Sequence, residues 1–272
     1  MEQAARLFSG KDLTDGELHP LGPGLAAIFT RRCPDAETSN EDSCAIIPYD
    51  ERSGVLAVAD GAGGLPAGER ASELAINALR TTVRAAAKKG EPLREAILDG
   101  IEKAHNEVLA LGIGAGTTLA VAEIQGPRVR TYHVGDSQIM IIGQRGKIKL
   151  HTISHSPVGY GVEAGLIKEQ DALLHAERHL VSNLIGQPKM HVELGQVVEL
   201  NAMDTLLVAS DGLFDNLHTN EIVEICRKGQ LLAISSSLAE CCRERMTVKS
   251  NGVPSKPDDL TFIAFRLRVT SG

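Results

Sequence analysis

Two stretches of the sequence, VLAVADG at residues 55–61 and LLVASDG at residues 206–212, share one pattern. In each, an apolar run typical of a buried β-strand ends at or next to an aspartate that is followed by glycine. A strand end is a rigid mount, and glycine permits a tight turn that leaves the backbone approachable. The pattern therefore predicts that Asp60 and Asp211 lie at exposed strand ends, with Gly61 and Gly212 forming the turns.

Further acids lie beside other predicted strands. Glu41 and Asp42 precede the run at 44–48, Asp136 follows the run at 129–134, and Asp258 precedes the last run. Any one of these acids, taken alone, is explained equally well as a turn residue. Carboxylate oxygens suit hard cations such as Mg²⁺ or Mn²⁺, whereas Zn²⁺ favours histidine or thiolate. The repeated strand–acid–glycine pattern favours a site for two metal ions.

The remaining periodicity predicts clustered strands and paired helices. Strands are expected at 25–30, 44–48, 55–59, 117–124, 129–134, 138–143, 147–152, 197–200, 205–209 and 260–269. Helices are expected at about 68–89, 93–111, 219–228 and 231–245, and residues 153–190 show no clear period. This order indicates an α+β fold, and the absence of a βαβα alternation argues against a doubly wound sheet.

Composition limits the classes of partner. The chain has 272 residues and a formal net charge of −7, so a broad basic surface for nucleic acid or anionic lipid is not expected. No apolar run is long enough for a signal peptide or a membrane span, which predicts a cytoplasmic protein without a membrane partner. We expect residues 1–24 to form an N-terminal extension and residues 25–272 to form a single catalytic domain.

Six short motifs, in this order, resemble those of metal-dependent serine/threonine protein phosphatases of type 2C, bacterial type. The resemblance runs from about residue 25 to residue 269. The motifs are NEDS at 40–43, DGAGG at 60–64, GTT at 116–118, GDS at 135–137, SDGLFD at 210–215 and DDLT at 258–261. Each motif alone is weak, but the ordered set is specific.

The resemblance implies a fold and an activity. The fold is a four-layer α-β-β-α sandwich of two mainly antiparallel sheets flanked by helix pairs. The activity is hydrolysis of phosphoserine or phosphothreonine in phosphoprotein substrates, in signalling, by a water activated by Mn²⁺ or Mg²⁺. Two ions are expected, with a possible third. Two divalent ions close together lower the pKa of a bridging water and neutralise phosphate charge, which is the chemistry such a reaction needs.

The resemblance also assigns ligands to the two main ions. Asp60 bridges both ions, the Gly61 carbonyl joins the second, and Asp211 and Asp258 complete the first. The family's final Asp-Asn pair is Asp258-Asp259 here, and alignment on the following Leu-Thr favours Asp258 as the ligand.

Water and a third ion involve further acids. By the same resemblance, Glu41 holds a water of the second ion and Asp42 orients the water between the ions. Asp136, with Asp211 or Asp215, forms a weaker third site. Asp42, Asp60 and Asp211 are thus the expected catalytic residues.

One position departs from the pattern. Many family members place a phosphate-gripping arginine three residues before the NEDS-type motif, where this chain has Glu37. Arg31 and Arg32 lie nearby, and either is a candidate replacement. The departure leaves open an alternative, a catalytically weak phosphatase-like binding or regulatory module. A partner-switching phosphatase that acts on a regulatory protein is a further alternative within the enzymes.

The irregular segment at 153–184 resembles the flap beside the family's active site, and such segments often carry substrate recognition. Within it, His175 and His179 have the i, i+4 spacing of helical metal ligands. No third ligand motif accompanies them, so we expect them to be solvated or to belong to the flap.

Overall fold

Two antiparallel sheets form the centre of the structure, a computed structural model that describes residues 4–248 and 252–268. The first sheet contains, in spatial order, β1 (Arg6–Ser9), β4 (Asp42–Pro48), β5 (Ser53–Asp60), β6 (Leu119–Gln125), β7 (Arg128–Val134) and β10 (Glu193–Leu194), with β11 (Val198–Glu199) also paired to β7. The second contains β2 (Glu17–Leu21), β3 (Gly24–Arg31), β13 (Leu260–Leu267), β12 (Thr205–Ala209), β8 (Gln138–Ile142) and β9 (Ile148–His151).

Helix pairs cover the outer faces of both sheets. The first sheet packs against α1 (Gly68–Lys89) and α2 (Leu93–Leu109), and the second packs against α6 (Thr219–Cys226) and α7 (Leu231–Thr247). Three short helices complete the chain: α3 (Pro157–Glu163), α4 (Glu169–Ala172) and α5 (Asp211–Phe214). The predicted α+β class and the four-layer α-β-β-α sandwich are confirmed.

The strand that leads to Asp60 shows why the layers form. Along β5, Leu56 and Val58 are buried between the sheets, whereas Val55 and Ala57 are buried against α1 and α2. A strand covered on both faces is apolar throughout, as this one is. Burying one leucine side chain stabilises the fold by about 1.5–3 kcal/mol, so the end of β5 is held firmly.

The segment predicted as an N-terminal extension contributes two edge strands instead. β1 pairs with β4 of the first sheet, and β2 pairs with β3 of the second. Both strands are short, and much of β2 is exposed, so their sequences lack the apolar runs of central strands. Residues 4–24 thus belong to the same sandwich as the rest of the described chain.

The other predicted elements agree with the structure in type and differ at their ends. α1 has the predicted bounds and is followed by Gly90, whose φ of 69° turns the chain so that the next N–H, that of Glu91, donates to the Ala86 carbonyl at 3.0 Å. The last strand ends at Leu267 rather than 269, and Val269 lies outside the described residues. Across the described ranges, no helix combines the length and apolar character that crossing a membrane requires.

Candidate metal centre

The first sheet supplies three carboxylates at one end. Asp42 begins β4 and Asp60 ends β5, and the two residues are direct partners in the antiparallel register. Asp136 follows β7, two residues after its last residue. Asp42 and Asp136 are 1% and 6% exposed, so these charges are withdrawn from bulk water.

The second sheet brings further carboxylates to the same place. β12 ends at Ala209, and α5 begins at Asp211, while Asp258 lies just before β13. The Ser210 hydroxyl donates a hydrogen bond of 2.8 Å to Asp42 Oδ2, and this bond joins the two sheets at the site. The acids predicted from separate strand ends are therefore brought together.

Mutual repulsion shows in the pKa values of these groups. Burial raises the pKa of Asp60 well above its ordinary value, and the charges of four other aspartates raise it further: Asp42, Asp211, Asp258 and Asp136. Burial, followed by the charge of Asp211, raises the pKa of Asp215 to about 6 and that of Asp258 to about 7. Such a cluster favours a cation in its midst.

Three buried oxygens at the centre have no hydrogen-bond partner among the described residues: Asp42 Oδ1, Asp211 Oδ1 and Asp215 Oδ2, of which the last lies 3.0 Å from the Lys256 ammonium. A buried carboxylate oxygen without a partner costs free energy unless a cation or a bound water reaches it. The side chains expected to bind metal here offer carboxylate oxygens, the ligands that Mg²⁺ and Mn²⁺ prefer. The residues present thus fit a divalent cation.

Two glycines allow the backbone to close around the acids. A Cβ on Gly61 would lie 2.3 Å from the Gly68 carbonyl carbon at the start of α1, and one on Gly212 would lie 1.9 Å from the Asp259 carbonyl oxygen. Contacts this short exclude a side chain. Glu41 approaches the same helix end, with Oε1 2.8 Å from the position of a Gly68 Cβ.

Asp259 has a supporting role that the sequence did not indicate. Its carboxylate accepts the backbone N–H of Cys33 at 2.7 Å and that of Glu41 at 2.6 Å. Both oxygens are therefore used to fix the loop that carries Glu41. Asp258 is the member of the pair that faces the cluster, because its Oδ2 lies 3.1 Å from Lys256 Nζ.

Lys256 is a second residue that sequence reasoning missed. Its ammonium forms ion pairs with Asp211, with Asp215 at 3.0 Å and with Asp258 at 3.1 Å. A lysine two residues before an acid carries no recognisable signal in sequence, since its direction depends on the loop. The structure thus places one positive charge inside the predicted metal centre.

The GTT motif supports Asp60 through its backbone. Thr117 Oγ1 donates to the Asp60 carbonyl at 2.7 Å, and Thr118 Oγ1 accepts the Asp60 N–H at 3.0 Å. Thr118 Oγ1 also lies 2.6 Å from Ser137 Oγ, beside Asp136. The two threonines therefore fix the backbone around one expected ligand and connect it to the loop of another.

The aspartate oxygens are more widely spaced than a closed coordination shell. The only group of three or more potential ligand atoms within 4.8 Å of one another in the described ranges is formed by His133, His155 and Glu193. The ring nitrogens of this group already have partners: His133 Nε2 contacts the Ile153 carbonyl, and His155 Nε2 contacts Glu193.

His155 fixes the loop that carries Asp136. The Nδ1 of His155 accepts the backbone N–H of Gly135 at 3.1 Å, and the backbone N–H of His155 donates to the Gly135 carbonyl at 3.0 Å. Asn183 contacts the same Nδ1 at 2.9 Å. The histidine group thus connects the flap to the sheet by hydrogen bonds. Burial lowers the pKa of His155.

A cleft of about 830 Å³ lies between the flap and the carboxylate cluster. Asp136, Asp211 and Asp215 line one wall, and residues of α3 and α4 line the other. Arg178 connects the two sides, because its guanidinium donates to the Leu173 carbonyl and, at 2.9 Å, to the Ser255 carbonyl. The flap predicted at 153–184 does flank the cluster.

The candidate phosphate-gripping arginines differ in their surroundings. Glu37 is exposed. Arg32 is exposed as well, and its Nε lies 3.3 Å from Asp12 Oδ2. Arg31 ends β3 opposite Leu260, which follows Asp258 by two residues in the chain. Position therefore favours Arg31 over Arg32.

Comparison with known proteins places this geometry in a family. The Protein phosphatase 2C family profile matches residues 31–247. Protein phosphatase PhpP of Streptococcus pneumoniae is 32% identical over 197 residues, which cover 69% of this chain and 78% of that protein. Serine/threonine phosphatase stp of Listeria monocytogenes is 29% identical over 203 residues, 71% of this chain and 80% of that protein.

Solved structures agree. The S. agalactiae serine/threonine phosphatase superposes with a TM-score of 0.74 at 27% identity, covering 89% of this chain and 99% of that chain. The catalytic domain of the serine/threonine protein phosphatase PstP, in complex with two manganese ions, gives a TM-score of 0.70 at 25% identity, covering 89% and 97%.

The fold is that of the metal-dependent phosphoprotein phosphatases of type 2C. The chain belongs to the protein phosphatase 2C family and is a serine/threonine protein phosphatase of the bacterial type. Metal dependence is general for this family.

Proposed function

We propose that the carboxylate cluster holds two divalent ions, Mn²⁺ or Mg²⁺, in the ligand arrangement expected from the sequence. Asp60 would be shared by the two ions, Asp211 and Asp258 would hold the first, the Gly61 carbonyl would hold the second, and Glu41 would hold a water. The observation that carries this proposal is that Asp42 Oδ1 and Asp211 Oδ1, which come from the two sheets, are buried without a hydrogen-bond partner, while the charges of both acids raise the pKa of Asp60. Oxygen ligands at such a point are neutralised most effectively by hard divalent cations.

The reaction is hydrolysis of phosphoserine and phosphothreonine by water. When bound, the two ions supply a water of lowered pKa and neutralise phosphate charge during in-line displacement. Asp42 accepts a hydrogen bond from that water and orients it, because Ser210 already fixes its other oxygen at 2.8 Å. The short distance keeps the Asp42 carboxylate in one orientation, which is what positioning a nucleophile requires.

Substrate binding involves the cleft and its rim. We propose that Arg31 grips the substrate phosphate in place of the arginine missing at position 37, and that the flap contacts the protein chain around the phosphorylated residue. Phosphoproteins of the cytoplasm, in signalling, are the proposed partners. Asp136, together with Asp211 or Asp215, marks the place at which a third ion would bind.

The test is Mn²⁺-dependent hydrolysis of p-nitrophenyl phosphate and of a phosphothreonine peptide. Asp60→Asn and Asp211→Asn are expected to lower kcat/KM by at least about 100-fold, because each removes a charged ligand from the pair of ions. Asp99→Asn, an exposed position on α2, is the matched control and is expected to keep wild-type turnover.

Two results would contradict the proposal. Turnover by Asp60→Asn equal to that of the wild type would remove this residue from the metal centre. A wild-type protein that binds the phosphothreonine peptide but shows no Mn²⁺-dependent turnover would support the alternative of a binding or regulatory module.

A further inference from the structure

Lys256 is the one lysine that pairs with the carboxylate cluster in the described part of the chain. Its ammonium contacts Asp211, Asp215 and Asp258, and its charge also acts on the fourth acid nearby, Asp136. The side chain is only 18% exposed. A buried cation with several carboxylate partners neutralises charge that would otherwise be repulsive.

The backbone of Lys256 is held in place from both sides. Its N–H donates to Asn216 Oδ1 at 2.8 Å, and its carbonyl accepts from Asn216 Nδ2 at 2.8 Å. Asn216 is fully buried and also donates to the Gly212 carbonyl in α5 at 2.9 Å. One asparagine thus fixes the lysine relative to the short helix that begins at Asp211.

Arg178 adds a second anchor on the preceding residue, since its guanidinium donates to the Ser255 carbonyl at 2.9 Å. A surface lysine that reached an acidic cluster by chance would have no such support. The segment at 254–258 is therefore built to deliver an ammonium to this position.

The partners of the ammonium include the acids expected to bind a third ion. Asp211 accepts the Lys256 ammonium with its Oδ2, and its buried Oδ1 has no hydrogen-bond partner among the described residues, so the ammonium leaves that oxygen unused. Asp215, by contrast, belongs only to the expected third site, and it lies 3.0 Å from the ammonium. The lysine consequently competes with a third ion while leaving one Asp211 oxygen for the first.

We propose that the ammonium of Lys256 replaces the third divalent ion. This phosphatase then binds two ions, and a lysine side chain supplies the positive charge at the third position. The inference rests on the proposed two-ion centre. It assigns Lys256 as a residue that sets the number of bound metal ions, a property that depends on this chain's own loop.

Metal stoichiometry tests the proposal without relying on activity. Equilibrium dialysis against Mn²⁺ up to millimolar concentrations, followed by metal analysis, gives the number of bound ions for the wild type, Lys256→Met and Lys256→Arg. We expect two ions for the wild type and for Lys256→Arg, and three for Lys256→Met. The third ion should bind Lys256→Met at least about tenfold more tightly than any residual site in the wild type, because a repelling charge within ion-pair distance is removed.

Controls separate this inference from a folding defect and from the proposed function. Far-UV circular dichroism confirms that each variant is folded, and Lys256→Gln, which keeps a polar end, serves if Lys256→Met does not fold. Lys103→Ala, an α2 lysine outside the centre, should keep the wild-type stoichiometry.

The outcomes are distinct. Three ions in the wild type, or two in both neutral variants, would overturn the role of Lys256 while leaving the two-ion centre intact. A wild type that binds no Mn²⁺ and shows no turnover would instead overturn the proposed function.

Discussion

The pH dependence of metal binding is a direct consequence of the raised carboxylate pKa values. A ligand carboxylate must lose its proton before it binds a cation, so affinity rises with pH through the range in which the ligands titrate. In the metal-free protein, burial and the charge of Asp211 raise the pKa of Asp258 from 3.8 to about 7 and that of Asp215 to about 6.

The size of the pH effect on Mn²⁺ affinity follows from the pKa of Asp258. Asp258 is about 10% ionised at pH 6 and about 90% ionised at pH 8, which changes the apparent Mn²⁺ affinity about ninefold. We expect Mn²⁺ to bind about ninefold more weakly at pH 6 than at pH 8. The raised pKa values of Asp42, Asp60 and Asp136 act in the same direction.

Isothermal titration calorimetry at pH 6, 7 and 8, in buffers of different ionisation heat, measures both the affinity and the number of protons released. Asp258→Asn should lose the ninefold contribution of Asp258, whereas Asp99→Asn should retain the full change. A change of less than about threefold in the wild type would refute the reasoning, as would an unaltered slope in Asp258→Asn.

The same linkage has an opposite sign for the stability of the metal-free protein. The pKa values of Asp215 and Asp258 in the folded protein exceed the unfolded value of 3.8, so folding favours their protonated forms. The stability that these two groups contribute is fully present below pH 3.8. It is lost as the pH rises through about 6 to 7. Thermal unfolding in EDTA should therefore give a Tm that falls over this range, and saturating Mn²⁺ should reverse the fall.

Three further substitutions test other parts of the structure. Arg31→Ala should raise KM for a phosphothreonine peptide about tenfold or more by removing a charged hydrogen bond, while Arg32→Ala should change it little; equal effects in steady-state kinetics would count against the assignment. Gly212→Ala should lower the free energy of unfolding, measured in urea, by about 1–3 kcal/mol or more, since its Cβ would lie 1.9 Å from a backbone oxygen. The control Gly63→Ala, whose Cβ would have nothing within 4 Å, should lie within about 0.5 kcal/mol of wild type. Leu79→Ala, fully buried under the first sheet, should cost about 2–5 kcal/mol in the same assay, and a smaller loss would mean that α1 packs loosely.

The central elements of the fold were predictable because both of their faces are covered. β5 is apolar from Val55 to Ala59, and α1 repeats its apolar residues on one helical face, so both elements were predicted in type, and α1 also in its bounds. Edge strands cannot be predicted from apolar periodicity in this way. β2 has a sequence of mixed character, and β10 is two residues long, so neither leaves a periodic signal.

The acids of the site were recognisable from their position at strand ends, but their supports were not. The hydrogen bonds that Asp259 accepts span 218 and 226 residues of sequence, and Lys256 reaches Asp211 across 45 residues. Such contacts depend on how loops fold over the finished sheets. The ligand roles themselves remain predictions that the titrations above test.

One feature of the sandwich affects the whole molecule. Asp42 and Asp60 belong to one sheet, whereas Asp211 and Asp258 adjoin strands of the other. All five cysteines are free, so no disulfide bond joins the two sheets. Ions bound at this point would hold the ends of the two sheets together. Chelation should then loosen that end of the sandwich first, and amide hydrogen exchange should increase there before it increases under the helices.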